Sequence, residues 1–547
     1  MEPPPESTYP DREALVSSVR QFALNHGYVL TIRRSTANKN VVLGCDLGRK
    51  YHDRIDAPDG SKRRKTSTRQ IGCPFQLYGA RRSDGTWDLK VRNPQHTHEA
   101  NDLVAHPHAR KFPAEKRAEI ARLSKLNVKP QAIEAILRDE NPSALFTRRD
   151  IYNIRMAERI KQLEGRTPVE HLIDRLQKEG NWEHRLQCDS GGHITLLMFA
   201  HKRSIKYANK YNRVFLLDCT YKTNRYRMPL LHIIGVAPTN ASFSIAFCFM
   251  QNEQAESYLW ALRSFLSLLK LPIEPPVLCT DRDLALLSAI SDEVPQFPHL
   301  LCVWHIHKNV QAHCKKEFTT NEEYNDFFGH WIKICSAHTE ELYEQAKSQM
   351  EVFLADKQHV FHYLNETWLV HREKFVVAWS REWLHLGNAA TSRVEGAHAA
   401  VKHWITNSTA DILLVFELVE KSVEGQLNAI AAALAQDRIF IPVFPSKTLF
   451  ANIIRRVSRH AIVLLVQQHD KVKRATQTAP LARCTNVFSR TMGLPCSHRI
   501  SDILESKSAI ELEEIHPFWR IEETHLPYRY QTALYSITYA NILLCLG

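Results

Sequence analysis

Five apolar segments between residues 211 and 310 constrain the fold of this chain more than any other feature. Three of them, "YNRVFLLDCTY", "MPLLHIIGVA" and "SFSIAFCFMQ", follow one another with short polar connections and predict consecutive buried strands. "PPVLCTDRD" and "HLLCVWHIHKNV" predict two further strands, each reached through a segment of helical period. The central part of the chain is therefore predicted to be an α/β domain built on one mostly buried sheet.

Three antiparallel strands followed by helix-separated parallel strands is the ribonuclease-H-like order of elements. In that order the ends of the first and fourth strands are neighbours, which would bring Asp218 and Asp281 together although 63 positions separate them. Two carboxylates on one rigid sheet edge can bind a pair of Mg²⁺ ions. We therefore expect a site for phosphodiester chemistry at this edge.

A third acid is needed, and "NAATSRVEGAHAAVKHWI" offers Glu395 at the head of an amphipathic helix. Taken alone, each of these acids is more often a surface residue; the hypothesis depends on their occurrence at three matching elements. Two competing acids, Asp283 and Asp411, are predicted to be helix N-caps because each directly precedes an apolar helical pattern.

The blocks "DCTYKTN", "CTDRDLALLSAI", "CVWHIHKN" and "SRVEGAHAAVK" resemble the motifs of Mutator-like element (MULE) transposases, in order, over roughly residues 180–430. The resemblance implies that Asp218, Asp281 and Glu395 form a DDE triad that uses Mg²⁺ or Mn²⁺. It also implies an all-α insertion at about residues 315–385.

The same resemblance places Cys302 and His305, the Cys-x-x-His that follows the second Asp, near the active site. Their roles stay open. A neutral His305 would order DNA or the metal shell, whereas Cys302 would contribute packing alone.

Residues 10–108 are predicted to form a compact β-rich domain with four metal-binding side chains near strand ends. Two thiolates and two imidazoles make a full tetrahedral zinc set, although the spacing is not that of a short Cys₂His₂ finger. A small β domain with reduced cysteines is the alternative. The order of these residues, with "CPF" and "HTHEAND", resembles the WRKY/GCM-type zinc domain of far-red-impaired-response proteins and related transposases, which implies a DNA-binding module. The ligand candidates are Cys45, Cys73, His96 and His98.

Three helical patterns in residues 113–165 outline a helix-turn-helix, with Arg148 and Arg149 at the start of the recognition helix. A plain helical linker is the alternative. The basic run at residues 61–69 is either a nuclear localisation signal or a loop that contacts DNA, and the two roles are compatible. Its candidate DNA contacts are Lys62, Arg63, Arg64 and Lys65.

Residues 475–525 resemble a SWIM zinc motif, in which Cys-x-Cys is followed by Cys-x-His. Cys484, Cys496 and His498 match that pattern, but Asn486 occupies the place of the second Cys. A structural zinc site normally has four ligands, so this substitution weakens the prediction of zinc. The apolar segment "YQTALYSITYANILLCLG" lacks helix-capping and charged residues and suggests a truncated or frame-shifted terminus.

The charge of the whole chain favours a polyanionic partner. Its 71 Lys and Arg exceed its 59 Asp and Glu, for a net charge of +12. The N-terminus lacks a secretory signal, no segment is apolar enough to span a membrane, and the 12 scattered Cys suggest reduced thiols in the nucleus or cytosol. Of these two compartments, the nucleus is the predicted location.

The predicted function is that of a multidomain cut-and-paste DNA transposase. Such a protein would bind double-stranded terminal inverted repeats and target DNA, and joining two ends would require a homo-oligomer. The alternative is a domesticated or inactive transposase-derived DNA-binding regulator.

Overall fold

The computed structural model describes residues 1–48, 68–100, 102–388, 410–440, 448–475 and 480–521. The chain divides into an N-terminal unit, residues 1–166, and a C-terminal unit, residues 167–547. Each unit contains one β-sheet, so the predicted multidomain α/β class is confirmed at that level. None of the helices within the described ranges has an apolar stretch long enough to cross a membrane.

The sheet of the N-terminal unit has five antiparallel strands in the order β1-β5-β4-β3-β2. One helix, α1, packs on this sheet through Leu15, Val16 and Val19. The sequence prediction did not include this helix, although Asp11 caps it by accepting a 2.7 Å hydrogen bond from the Ala14 N–H. The bounds are β1 Thr8–Tyr9, α1 Arg12–Asn25, β2 Leu30–Thr36, β3 Asn40–Cys45, β4 Gln76–Arg81 and β5 Trp87–Asn93.

Three helices complete this unit and share a small core of Ile120, Ile133, Leu137, Phe146 and Ile151. The third begins with a capping box, in which Thr147 and Asp150 satisfy each other's backbone N–H groups. The helices are α2 Ala114–Lys125, α3 Pro130–Glu140 and α4 Arg148–Leu163.

The sheet of the C-terminal unit has seven strands in the order β12-β11-β8-β9-β10-β7-β6. The five strands predicted from the apolar segments are all present, and the hairpin β6–β7 extends the sheet beside β10. The strands are β6 Trp182–Cys188, β7 Ile194–His201, β8 Val214–Thr220, β9 Leu230–Val236, β10 Ser242–Met250, β11 Val277–Thr280 and β12 His299–Leu301.

Strands β8, β9 and β10 are almost continuously apolar because they are buried on both faces. Among the helices that pack on β10 are α6 Lys202–Lys210, α7 Ala255–Leu266 and the long helix 412–439. The long helix fixes its position through Glu420, which accepts hydrogen bonds from Arg175 at 2.7 Å and from the Trp182 indole at 3.2 Å.

Residues 315–385 are mainly helical and pack around a separate core that includes Trp331, Tyr343 and Trp368. Besides α6 and α7, the described part of the C-terminal unit contains eleven α-helices. They are α5 Pro168–Lys178, α8 Leu284–Glu293, α9 Val303–Cys314, α10 Asn321–Cys335, α11 Glu340–Phe353, α12 Gln358–Thr367, α13 Val377–Ser380, α14 Ile412–Ile439, α15 Arg459–Arg474, α16 Val487–Met492 and α17 Ser497–Glu505.

Gly235 in β9 offers a test of how tightly this sheet is packed. A Cβ at this position would lie 2.6 Å from Cζ of Phe243, so we expect Gly235→Ala to destabilise the C-terminal unit by about 1–3 kcal/mol. Gly329 in α10 is the matched control. A Cβ there meets nothing within 4 Å, and Gly329→Ala should stabilise the helix by about 0.5–1 kcal/mol. Urea denaturation followed by tryptophan fluorescence measures both; equal midpoints for the two variants would contradict this account of the packing.

Candidate active site and metal-ligand clusters

The parallel pairing of β8 and β11 brings the first two predicted acids to one sheet edge. Thr280, the last residue of β11, pairs with Leu217 of β8. Asp281 and Asp218 are each the next residue along, so the two carboxylates emerge beside each other. Asp218 is 7% exposed and lies within β8, which continues to Thr220, rather than at the tip of the strand.

Burial and the neighbouring charge make this pair of carboxylates electrostatically costly. Desolvation, followed by the charge of Asp218 and then that of Asp283, raises the pKa of Asp281 from 3.8 to about 7. A carboxylate whose ionisation is opposed by burial and by a neighbouring carboxylate belongs to a donor set suited to a divalent cation. The arrangement therefore fits the Mg²⁺ or Mn²⁺ that the sequence predicts.

Glu253, which follows β10, is a further carboxylate near this edge, and its charge also contributes to the raised pKa of Asp281. It accepts hydrogen bonds from the hydroxyls of Tyr221, at 2.7 Å, and Tyr258, at 3.2 Å. The Tyr258 hydroxyl in turn lies 3.4 Å from Sγ of Cys219, the neighbour of Asp218 in the chain. Sequence reasoning missed Glu253, although an acid directly after a buried strand was the signal that identified Asp281.

His232 in β9 is the second residue that sequence reasoning missed. It is the register partner of Asp218, it is fully buried, and its Nε2 lies 2.9 Å from the Ser244 hydroxyl. Its ring stacks on Phe247 with the centroids 4.4 Å apart. The signal was a lone imidazole inside an otherwise apolar strand, but only strand register assigns it to Asp218.

Cys302 and His305 lie where the chain passes from β12 into α9. The backbone N–H of Cys302 donates to the Thr280 carbonyl at 2.7 Å, which holds this turn beside Asp281. Sγ of Cys302 caps α9 by accepting from the His305 N–H at 3.4 Å. His305 packs edge-on against Trp304, with ring centroids 4.7 Å apart. The thiol thus has a capping role, and His305 follows it on the same helix.

The two acids that were assigned as helix caps are confirmed in that role. Asp283 accepts from the Leu286 N–H, and Asp411 from the Leu414 N–H, each at 2.8 Å. Glu395, the predicted third acid, lies outside the described residues.

The four Cys and His residues of the N-terminal unit meet at one point. Their ligand atoms all lie within 4.8 Å of one another, and Sγ of Cys45 is 3.3 Å from Nε2 of His98. Nδ1 of His98 lies 2.8 Å from the Glu99 carbonyl, so it carries the ring proton and leaves Nε2 as the ligand nitrogen. The cluster comprises Cys45, Cys73, His96 and His98.

The surroundings of this cluster favour side chains that bind a metal ion over side chains without one. Burial and the nearby Cys73 raise the pKa of the Cys45 thiol to about 12, while burial and His98 lower that of His96 to about 4. The neutral imidazole of His96 is a metal ligand as it stands, whereas the Cys45 thiol ionises here only with a cation to neutralise it. Two thiolates and two imidazoles fit tetrahedral Zn²⁺, and zinc itself stays a prediction.

His106 is a packed residue outside the cluster of potential ligands. It is 4% exposed, and its Nδ1 lies 3.1 Å from Oδ2 of Asp46, the neighbour of Cys45 in the chain. Arg69 donates to the same carboxylate at 2.9 Å from Nε. These contacts tie together three segments that flank the residues of the cluster.

The predicted DNA contacts divide into described and undescribed residues. Arg148 donates to Glu134 at 2.6 Å, and Arg149 is exposed. Helix α4 also exposes Tyr152, Met156 and Ile160, one turn apart. The basic residues Lys62, Arg63, Arg64 and Lys65 lie outside the described residues.

The three matching residues of the C-terminal motif also meet, with their ligand atoms within 4.8 Å of one another. Sγ of Cys484 and Sγ of Cys496 are 3.9 Å apart. Burial opposes ionisation of Cys496, but hydrogen bonds to its sulfur from the Arg499 backbone, Ser489 and His498 outweigh it and lower its pKa to about 7. These ligands, Cys484, Cys496 and His498, form the second Cys and His cluster within the described residues.

Comparison with known proteins identifies the segment that carries the acids. Residues 214–309 match the MULE transposase domain family. The match begins at β8 and ends within α9, so it contains Asp218, Asp281 and the Cys302–His305 turn.

Three relatives illustrate the similarity of the longer chain. A PKS-NRPS hybrid synthetase of Chaetomium globosum, cheA, is 24% identical over 93% of this chain and 12% of its own length. FAR1-related sequence 5 of Arabidopsis thaliana is 24% identical over 67% of this chain and 47% of its own. Far-red impaired response 1 of the same plant is 20% identical over 74% of this chain and 50% of its own length. The chain thus spans half or less of each of these relatives.

The electrostatic cost at the sheet edge predicts a pH-dependent gain in stability for Asp281→Asn. Because the pKa of Asp281 is raised in the folded protein, its ionisation destabilises the fold progressively from about pH 4 to pH 7. The variant should therefore match the wild type at pH 4 and exceed it by on the order of 1–3 kcal/mol at pH 8. Thermal unfolding at both pH values measures this.

Asp292→Asn, at an exposed acid of α8, is the matched control and should show no such trend. Addition of Mg²⁺ should reduce or reverse the advantage of Asp281→Asn at pH 8, since the cation stabilises only the wild type. An advantage that is the same at pH 4 and pH 8 would contradict the electrostatic explanation.

The N-terminal cluster predicts that Cys73→Ser removes zinc and destabilises its unit. Loss of a ligand from a structural zinc site costs on the order of several kcal/mol of folding free energy. Metal analysis of the purified full-length protein and limited proteolysis of residues 1–166 test this. Cys188→Ser, at an exposed thiol of β6, is the control and should change neither result. Equal zinc content in the two variants would rule out Cys73 as a ligand.

Proposed function

We propose, on the premise that this chain is a MULE transposase-like protein, that it binds DNA ends and catalyses metal-dependent strand cleavage and strand transfer. The observation that carries this proposal is the pairing of β8 with β11, which sets Asp218 beside Asp281 within the matched segment. Two adjacent carboxylates, one buried and one half-buried, have little structural benefit and a clear use as ligands of divalent cations.

The strand order supports a ribonuclease-H-like catalytic core. Strand β9 pairs antiparallel with both β8 and β10, β11 pairs parallel with β8, and β12 pairs parallel with β11. This gives the order β10-β9-β8-β11-β12, in which the first and fourth strands of the core are adjacent. The hairpin β6–β7 is an addition at the β10 edge.

Glu395 is proposed as the third acid of the triad. The described residue nearest to it on the C-terminal side is Ala410, whose carbonyl accepts a 2.9 Å hydrogen bond from the Arg225 N–H. Arg225 belongs to the connection that leaves β8 just after Asp218. Ala410, the first described residue after Glu395, therefore lies next to the connection that follows β8.

In this proposal Asp218, Asp281 and Glu395 hold the metal. Mg²⁺ or Mn²⁺, when bound, supplies the positive charge that favours deprotonation of water or of a 3′-hydroxyl and neutralises the scissile phosphate. The strands keep the two aspartates from moving apart despite their repulsion. Glu253 holds the half-exposed Tyr221 at the rim, where its ring is available to stack on a nucleotide.

DNA binding is assigned in the proposal to the N-terminal unit and the net positive charge. The zinc-type cluster would keep its small domain folded, and Arg149 together with the basic residues 62–65, which lie outside the described part, would contact phosphates. A protein that acts on chromosomal DNA must be located in the nucleus, and joining two DNA ends implies a homo-oligomer.

A transposase-derived DNA-binding regulator is the second candidate. The observation in its favour is Asn486, which departs from the SWIM pattern in a way that a weakened or repurposed copy would show. This candidate retains DNA binding and lacks strand cleavage.

The proposal predicts metal-dependent nicking of DNA that carries the terminal repeats flanking the encoding locus. Full-length protein should nick labelled repeat-end DNA with Mg²⁺ or Mn²⁺, and Asp218→Ala and Glu395→Ala should each reduce the rate by at least about 1,000-fold, because each removes a ligand of the cation at the scissile phosphate. Asp292→Ala, at an exposed acid outside the site, should nick at the wild-type rate.

Binding by electrophoretic mobility shift should persist in all of these variants, because the acids do not contribute to affinity for phosphates. Wild-type protein that binds the repeat ends without nicking them would overturn the transposase proposal in favour of the regulator. Nicking that survives Glu395→Ala would remove Glu395 from the triad and leave the two aspartates in place.

A further inference from the structure

The C-terminal Cys and His cluster has the dimensions of a zinc site. A zinc ion with Zn–S bonds of about 2.3 Å separates two thiolates by about 3.8 Å in tetrahedral geometry. Sγ of Cys484 and Sγ of Cys496 are 3.9 Å apart, and the ligand atom of His498 completes a group within 4.8 Å. These three residues account for three of the four positions of a tetrahedron.

Asn486 places an oxygen atom next to this group. Its Oδ1 lies 3.2 Å from Sγ of Cys484, and the contact is a thiol that donates to an amide oxygen. Asn486 has a left-handed backbone conformation with φ of 54°, which Asn adopts more readily than most residues. The side chain is thereby turned toward the cluster at the position where the SWIM pattern has its second Cys.

The imidazole of His498 is oriented for metal binding. Nε2 lies 2.6 Å from the Ala482 carbonyl, so Nε2 carries the proton and Nδ1 is left with its lone pair. Ligand histidines usually donate their second nitrogen to a carbonyl in this way, which fixes both the tautomer and the ring.

The segment that contains His516 and Trp519 holds helices α16 and α17 in place. The Trp519 indole donates to the Met492 carbonyl at the end of α16, at 2.6 Å, and the His516 N–H donates to Gly493 at 2.9 Å. Gly493 has φ of 64°, and a Cβ there would lie 2.5 Å from Cβ of His516. Asn486 at the start of α16 and Cys496 at the start of α17 are therefore fixed relative to each other.

We propose that Asn486 is the fourth ligand of a Cys₂HisAsn zinc site with Cys484, Cys496 and His498. Binding takes up Zn²⁺ and releases the two thiol protons, so the site is electrically neutral. An amide oxygen is a weaker donor to zinc than a thiolate, and this site should bind zinc reversibly and less tightly than a Cys₃His site. The proposal does not depend on DNA cleavage.

Substitutions at Asn486 test the proposal in both directions. Asn486→Gly keeps the left-handed backbone without strain and removes the oxygen, and should weaken zinc binding by about 10–100-fold. Asn486→Asp retains an oxygen ligand and should bind zinc at least as tightly as the wild type. Asn486→Cys restores a third thiolate and should strengthen binding by at least about tenfold. Thr485→Cys adds an exposed thiol next to the site and is the control, with wild-type affinity expected.

The readout is competition of full-length protein with a chromophoric zinc chelator, together with Co²⁺ absorption spectra. The N-terminal cluster contributes equally to all variants, so differences between spectra report on the C-terminal site. Sulfur-to-cobalt absorption of this site should rise by about half in Asn486→Cys, because three thiolates replace two. Circular dichroism confirms that each variant is folded.

Two outcomes would overturn the proposal. If Asn486→Gly binds zinc as tightly as the wild type, the amide oxygen is not a ligand. If the wild type binds zinc only at the N-terminal cluster and Asn486→Cys gains a second site, the SWIM-like scaffold is intact but Asn does not complete it. Neither outcome affects the nicking assay, so failure here is distinct from failure of the transposase proposal.

Discussion

The parallel pairing of β8 with β11 is the constraint on which the candidate active site depends. Backbone hydrogen bonds between these strands fix Asp218 and Asp281 side by side, although their charges repel each other. Only a rigid sheet edge maintains such an arrangement, since two carboxylates on loops would move apart. The strain is electrostatic, and a divalent cation bound by both carboxylates would relieve it.

The residues around the pair support this arrangement from three directions. On β9, the partner of Asp218 is the buried His232, which a serine hydroxyl and a stacked phenylalanine ring hold in place. After β10, Glu253 accepts from two tyrosine hydroxyls and adds negative charge. Beyond β12, Cys302 caps α9 and ties its turn to Thr280. The edge is thus polar and well ordered, while the sheet behind it is apolar and buried.

The two Cys and His clusters solve a different physical problem. The N-terminal sheet and the pair α16–α17 are small elements, and small cores contribute little stability. Ligands contributed from distant parts of the sequence, as in Cys45 with His98, would close long loops around one ion. The C-terminal cluster spans a shorter segment and has an Asn in place of one thiol, which accords with its additional support from the buried Trp519.

The amino-acid sequence alone predicts the strands, most of the helices and the likeness to MULE transposases. Apolar runs and their acids are local signals, and the same holds for the helix caps Asp283 and Asp411, which need only the residues that follow them. The sequence also indicates the Cys and His residues that form both clusters.

Several contacts at the candidate sites follow only from the tertiary structure. Strand register assigned His232 to Asp218, and the return of the chain after β10 brought Glu253 to the same edge. The raised pKa of Asp281 and the contact between Asn486 and Cys484 likewise depend on atoms that are brought together by folding. The reason is physical: periodicity reports burial of one segment at a time, whereas register, desolvation and ligand geometry are properties of pairs of segments.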